Sequence, residues 1–252
     1  MPLHDWTKIY SGMFHDFHQS WSIRIKDALN CGILPKGALA LVEHKAGPVE
    51  ADVLTIDLLG EAGGDWAQRG GAVTAVEPVA RFVQKSTKVR YAERANRIVV
   101  QQPVGHTIAV VEIVSPGNKD SKRAFKTFVE KSQDYIARGV HLLVVDPFPP
   151  TKRDPEGVHR VIWDDFEDAG REFAFPVGKD RLAVSYDSNE VEKAAYVEAF
   201  AVGDVLPEMP LFLGGGYHVV VPLEDAYLKT WAVMPAEYQE IVVTGLLPGG
   251  RR

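Results

Sequence analysis

Between Phe14 and Asn30 the residues Phe14, Phe17, Trp21, Ile25 and Leu29 recur at spacings of three or four, which predicts an amphipathic helix. Gly32 is placed to end it, and Pro35 excludes further helix. Ala38–Glu43 and Asp52–Leu59 read as short strands, Gly60–Gly71 as a mobile loop, and Val89–Gln101 as a strand turned by Pro103-Val104-Gly105. His106–Val114 is a nearly continuous apolar run, the pattern of a central strand buried on both faces.

Pro116-Gly117-Asn118 breaks that strand, and Asp120 or Ser121 can cap a helix running to about Arg138. Phe125, Phe128, Val129, Ser132 and Ile136 share one face of it; Gly139 closes it, and Val140–Val145 is a second buried strand. Strand, helix and strand with a short turn favour a mixed or parallel sheet. The Pro-rich stretch Asp146–Pro155 reads as a surface loop. Further strands are expected near Arg181–Tyr186, Ala194–Val202 and Tyr217–Val221, then a helix over Leu223–Trp231; the last twenty residues carry few signals and read as loosely attached. No repeat, low-complexity tract or domain boundary is visible. The expectation is one α/β domain over residues 1–252, a mixed central sheet flanked by helices, with a core at about 14–147 and a peripheral C-terminal part at about 148–252.

Composition narrows the class. Hydrophobic residues are 46% and charged residues 25% of the 252, an ordinary globular balance. No run approaches the roughly 18 apolar residues of a membrane span, and the first thirty residues lack the basic-then-apolar order of a signal peptide. The single cysteine, Cys31, can form no internal disulfide and no cysteine-based zinc site, which points to a cytoplasmic location. A net charge of −6 argues against non-specific coating of nucleic acid but leaves room for a local basic groove. Lys119, Lys122, Arg123, Lys126 and Lys131 fall within thirteen positions, whereas acids gather at Asp164, Asp165, Glu167 and Asp168.

The candidate chemistry is carried by Asp52, which opens a strand, and Glu112, which interrupts an apolar one. A carboxylate at Glu112 must be paired, metal-bound or exposed at the strand end, because burying it alone is costly. Metal-dependent phosphodiester cleavage needs two such acids around a hard cation such as Mg²⁺, and gains from a lysine near the developing charge. The simplest arrangement puts that lysine two residues after the second acid, where Val114 stands here. It must then come from the next loop or helix: Lys119, Lys126 or Lys131, among which periodicity does not choose. The bland alternative is a strand-end glutamate salt-bridged to a helix lysine in an inactive domain.

Glu112-Ile113-Val114-Ser115-Pro116-Gly117-Asn118-Lys119, then Lys131, Tyr135, Gly139-Val140 and Val145-Asp146-Pro147, resembles the Uma-two family of the PD-(D/E)XK nuclease superfamily. A fuller resemblance, over most of the chain, is to the bacterial domain-of-unknown-function family 4058. It rests on His4-Asp5-Trp6, Phe14-His15-Asp16-Phe17-His18, Asp52-Val53-Leu54-Thr55, Ser115-Pro116-Gly117-Asn118-Lys119 and Val205-Leu206-Pro207. The resemblance implies a restriction-endonuclease-like core with Asp52 and Glu112 as metal acids, although Ala51 replaces the usual proline. Lys131 matches the helix lysine when counted back from Gly139-Val140, and Lys126 when counted forward from Glu112. The expected function is a Mg²⁺-dependent phosphodiesterase acting on nucleic acid, with Lys122 and Arg123 on neighbouring phosphates. Its rival is a catalytically silent scaffold that binds a protein or nucleic-acid partner.

Other residues carry weaker signals. His15 and His18, with His4 and Asp5, offer a transition-metal set or, more blandly, half-buried histidines bonded to backbone. Glu43-His44 can approach the acidic pair or lie on the surface. Gly214-Gly215-Gly216 lacks the lysine and the strand-to-helix setting of a phosphate loop and reads as a turn.

Overall fold

The structure, a computed structural model, describes residues 3–46, 49–58, 66–87, 105–166 and 172–247. The first helix, α1 (Ser11–Ala28), buries Phe14, Phe17, Trp21 and Ile25, the stripe its periodicity demanded. It passes into a wide turn over Leu29–Ile33, where Gly32 takes a φ of 103° that a residue with a Cβ adopts only under strain. Strands β1 (Ala38–Ala46) and β2 (Val49–Asp57) follow, then β3 (Phe82–Ser86) and β4 (His106–Ile113). The short α2 (Pro116–Asp120) and the longer α3 (Lys122–Ala137) lead to β5 (His141–Asp146). Beyond them lie α4 (Val158–Trp163), β6 (Arg181–Asp187), β7 (Lys193–Phe200), β8 (Met209–Gly214), β9 (Tyr217–Val221), α5 (Leu223–Ala232) and α6 (Ala236–Thr244).

Seven strands form one mixed sheet in the order β1-β2-β4-β5-β6-β7-β3, and β8 pairs with β9 in a separate hairpin. All neighbours in the large sheet are antiparallel except β4 and β5, which run parallel, Val111 beside Leu143 and Ile113 beside Val145. That pair is parallel because α3 carries the chain back across the sheet between them. Side chains on β4 alternate between two cores. Ala109, Val111 and Ile113 pack with α1, α5 and the β8–β9 hairpin, whereas Val110 and, just past the strand's end, Val114 pack with α3 and α4. The α3 stripe meets this second core through Phe125, Phe128, Val129 and Ile136, each contributing on the order of 1.5–3 kcal/mol by leaving water.

The helix starts are set by local chemistry. Ser115 and Asn118 form a reciprocal cap at α2, with Pro116 in its first turn, and the Ser121 hydroxyl accepts from the Ala124 amide at α3. So Pro116-Gly117-Asn118, expected only to break the strand, also forms a helical turn.

Three expectations need correction. The part about 148–252, read as peripheral, supplies β6 and β7 to the main sheet and α5 to the first core, where Tyr227 and Trp231 meet Trp6 and His4. Within the last twenty residues, read as loosely attached, Ala236–Thr244 forms α6, where Val242 is buried and the Tyr238 hydroxyl donates to the Met13 carbonyl, while positions 248–252 lie outside the described residues. Within the expected loop Gly60–Gly71, Trp66–Arg69 forms a helical turn with Trp66 buried and Arg69 bonded to Asp57 at 2.9 Å, while positions 60–65 lie outside the described residues. The strand expected over Val89–Gln101 lies outside them too. The Gly214–Gly216 turn joins β8 to β9 as expected. Among the described residues, no helix is long and apolar enough to cross a membrane.

Candidate active site

The antiparallel ladder between β2 and β4 runs as far as Val53 opposite Val111. Past that point the Asp52 side chain takes the place of a ladder carbonyl, its Oδ2 accepting from the Ile113 amide at 2.6 Å. Asp52 sits two residues before Leu54, and Glu112 lies between Val110 and Val114, all three of which pack into the α3-side core. Alternation therefore turns both acids to the same side of the sheet.

Glu112 is only 4% exposed. Lys131, one face of α3 away, donates from Nζ to its Oε2 at 2.7 Å, and Oε1 is buried without a partner. Burial raises the Glu112 carboxyl to about 7 against the opposing charge of Lys131, and the nearby negative charge of Asp52 pushes in the same direction as burial. The two acids thus sense each other.

Two further groups complete the cluster. His18, from α1, places Nε2 at 3.1 Å from Asp52 Oδ2, and its Nδ1 is buried without a partner. Burial by itself lowers His18, but the hydrogen bond and charge of Asp52, with Glu112 beyond, outweigh it and hold the imidazolium above its usual range. Tyr135 follows Lys131 by one turn of α3; its hydroxyl is buried without a partner, and burial, then the charges of Glu112 and Asp52, raise it.

Of the three candidate lysines, only Lys131 reaches the acids. Lys119 is enclosed elsewhere, 2.6 Å from Asp146 and 2.7 Å from Asp154, because the α2 cap turns it under the Asp146–Pro155 loop. Lys126 is exposed and pairs with Glu130 at 3.5 Å. The lysine that meets Glu112 is the one reached by counting back from Gly139-Val140. Lys122 and Arg123 are exposed at the start of α3.

The histidines do not gather into one set: the exposed His15 stacks on His18 with ring centroids 6.3 Å apart, whereas His4 stacks on Trp231 at 3.6 Å while bonding the Tyr227 hydroxyl at 2.8 Å. The side chains of Glu43 and His44 lie outside the described part. Sequence reasoning did not find the Lys119–Asp146–Asp154 cluster. The available signal was Asp146 closing the apolar run Leu142–Val145, which, like Glu112, required a partner.

Among the described residues no group of three or more histidine, cysteine or acidic side chains is arranged around one point for a metal. Mg²⁺, however, is held by one or two carboxylates and keeps several waters. Asp52 and Glu112 fit that demand: both are hard oxygen donors, and Glu112 Oε1 is a buried acceptor with no protein donor. Comparison with protein-family models, curated proteins and solved structures gives no match. The functional reading therefore rests on the site.

Proposed function

We propose that the chain is a Mg²⁺-dependent phosphodiesterase acting on nucleic acid, built on a PD-(D/E)XK-like, restriction-endonuclease-like core. The observation that carries it is the buried Glu112, salt-bridged to Lys131 through one oxygen and open at the other, within the field of Asp52. A carboxylate so placed is costly while it stays ionised unless its second oxygen serves a cation. The five residues that cluster, His18, Asp52, Glu112, Lys131 and Tyr135, are also residues on which the family resemblance rests, and that agreement supports it.

Asp52 and Glu112 would hold the cation, with His18 and the Ile113 amide fixing the Asp52 carboxylate. Bound there, Mg²⁺ supplies charge that polarises a phosphoryl oxygen. Lys131, partly open to solvent at 17% exposure, brings a positive charge to the edge of the site and stabilises the anion that grows as the diester breaks. The single exposed cysteine fits a cytoplasmic setting.

One observation favours the silent scaffold: Lys131 and His18 each meet one oxygen of an acid and so offset part of the charge a cation would neutralise. Thermal melting against Mg²⁺ or Mn²⁺, with cleavage of a labelled oligonucleotide, separates the two. The enzyme should gain about 2.7 kcal/mol of stability at a hundredfold excess over Kd. Asp52→Asn and Glu112→Gln should erase both that gain and cleavage. An intact protein with no metal response and no cleavage is the scaffold.

A further inference from the structure

α3 carries Arg123, Thr127 and Lys131 four residues apart, so they follow one another along one face. From Arg123 to Lys131 the helix advances about 12 Å at 1.5 Å per residue. All three line one open concavity of about 400 Å³, together with Asn118, Ser121 and Phe128. Lys131, one of the lining residues, is the residue whose ammonium group touches Glu112.

Its charge is unlike that of the chain. The protein carries −6 overall, yet no carboxylate lines this groove, only two cations, an amide, two hydroxyls and apolar groups. The cations also differ in their freedom. Lys126 is tied to Glu130 and Lys119 is enclosed by two aspartates, whereas no ion pair joins Arg123 to another described residue. Lys131 is anchored at the far end by Glu112. The result is a track with a fixed cation at the acids and an uncommitted guanidinium about 12 Å away along α3.

Resting on the nuclease reading of Asp52, Glu112 and Lys131, we infer that this groove holds the nucleic-acid strand beyond the scissile phosphate. Arg123 is the residue that grips a remote phosphate. A stacked strand has one phosphate per about 3.4 Å of its axis, so Arg123 meets the third or fourth phosphate from Lys131. The substrate is then an oligonucleotide, and a dinucleotide is too short to use the whole site. Guanidinium suits the task because its planar fork grips two phosphate oxygens together. The contact reads charge and spacing, not base identity.

The test measures binding of labelled single-stranded DNA of two, six and ten nucleotides in EDTA at low salt, then the salt dependence for the longest. Affinity of the unaltered protein should rise from two to six nucleotides, the length that spans the groove. Arg123→Gln should weaken six-nucleotide binding about tenfold and lower the salt slope by about 0.7. Lys126→Gln should bind as the unaltered protein does. No binding at all, or equal six-nucleotide affinity in Arg123→Gln, overturns the groove. Cleavage of the ten-nucleotide strand with Mg²⁺ or Mn²⁺ separates the two claims. Cutting that needs Asp52 but ignores Arg123 refutes the groove alone. Arg123-dependent binding with no cutting refutes the nuclease reading and leaves the groove as a strand-binding surface.

Discussion

Two lysines from the same short stretch of chain end in buried carboxylate clusters, and the clusters differ in what they leave unmet. Lys119 lies between Asp146 and Asp154, all three at or below 5% side-chain exposure. The remaining acceptors there are used: Asp146 Oδ1 takes the Phe148 amide, and Asp154 Oδ1 takes the Thr151 amide and hydroxyl. Asp154 Oδ2 makes no well-angled hydrogen bond, but at 2.7 Å from Lys119 Nζ its charge is met. Around Lys131 the outcome is the reverse. Glu112 Oε1, the Tyr135 hydroxyl and His18 Nδ1 are all buried and unpartnered, while Lys131 and Asp52 reach solvent at 17% and 21%. A buried lysine–carboxylate pair is thus not in itself a sign of chemistry. The closed cluster is a clamp that ties the Asp146–Pro155 loop to α2, with Arg153 adding a bond to the Lys119 carbonyl at 2.7 Å. The open one retains unused capacity.

The sharpest way to break this contrast is to remove each lysine in turn. Lys119→Met leaves two buried carboxylates without their cation and should cost about 3–5 kcal/mol in urea unfolding. Asp154→Asn, a milder lesion in the same clamp, keeps the comparison measurable if Lys119→Met fails to fold. Lys131→Met should cost only about 1–2 kcal/mol, because Glu112 can take up a proton at a site that borders water. It should nonetheless suppress cleavage, by about a hundredfold for a lost charge on the growing anion. Equal stability losses at the two positions would erase the distinction.

The pH dependence of the metal-free protein sharpens it further. Burial raises Asp146 from 3.8 to about 6 and Glu112 from 4.5 to about 7, in each case against the pull of its lysine. A carboxyl raised in the folded state holds its proton where the unfolded chain has lost it. Its contribution to stability is therefore present at low pH and is lost as pH rises through the folded value. The clamp should have shed its part by about pH 6, while Glu112 continues to about 7, with a slope of up to about 1.4 kcal/mol per pH unit. His18, raised from 6.5, loses stability in the same sense at higher pH. Chemical denaturation at pH 6 and 7 should show the decline in the unaltered protein. Glu112→Gln should keep only the His18 share, and an unchanged decline in that variant would count against the burial of Glu112.

How far the sequence carried this picture depends on what each residue had to satisfy. The elements with one dominant period, α1, β4, α3 and β5, were legible, since a helix stripe or an apolar run admits one packing. β8 was not, because Pro210 argues against a strand; it is tolerated in the two-stranded hairpin, where its carbonyl accepts from Ser185 at 2.6 Å. α6 escaped notice because it buries little besides Val242. In the site, Glu112 was marked as an acid in an apolar run and Asp52 by its place at the expected start of a strand, although β2 in fact begins at Val49. The choice of lysine was not, because it depends on which way the α2 cap turns Lys119 and on which side of the α3 stripe faces β4. His18 was visible as a candidate, but its true neighbour, Asp52, is brought near only by packing α1 beside β2.

The smallest expected effect is also the most discriminating between the lysines. Lys126 carries the same charge on the same helix and satisfied one way of counting the family motif, yet it is 70% exposed and holds Glu130 at 3.5 Å in an i,i+4 pair. Such pairs contribute a few tenths of a kcal/mol at most, because water screens them and the long side chains resist being held. Lys126→Gln should shift urea stability by less than about 0.5 kcal/mol and leave cleavage as it is. A loss of cleavage there comparable to that in Lys131→Met would mean that positive charge anywhere on α3 suffices. The contact between Lys131 Nζ and Glu112 would then no longer distinguish the open cluster from the surface around it.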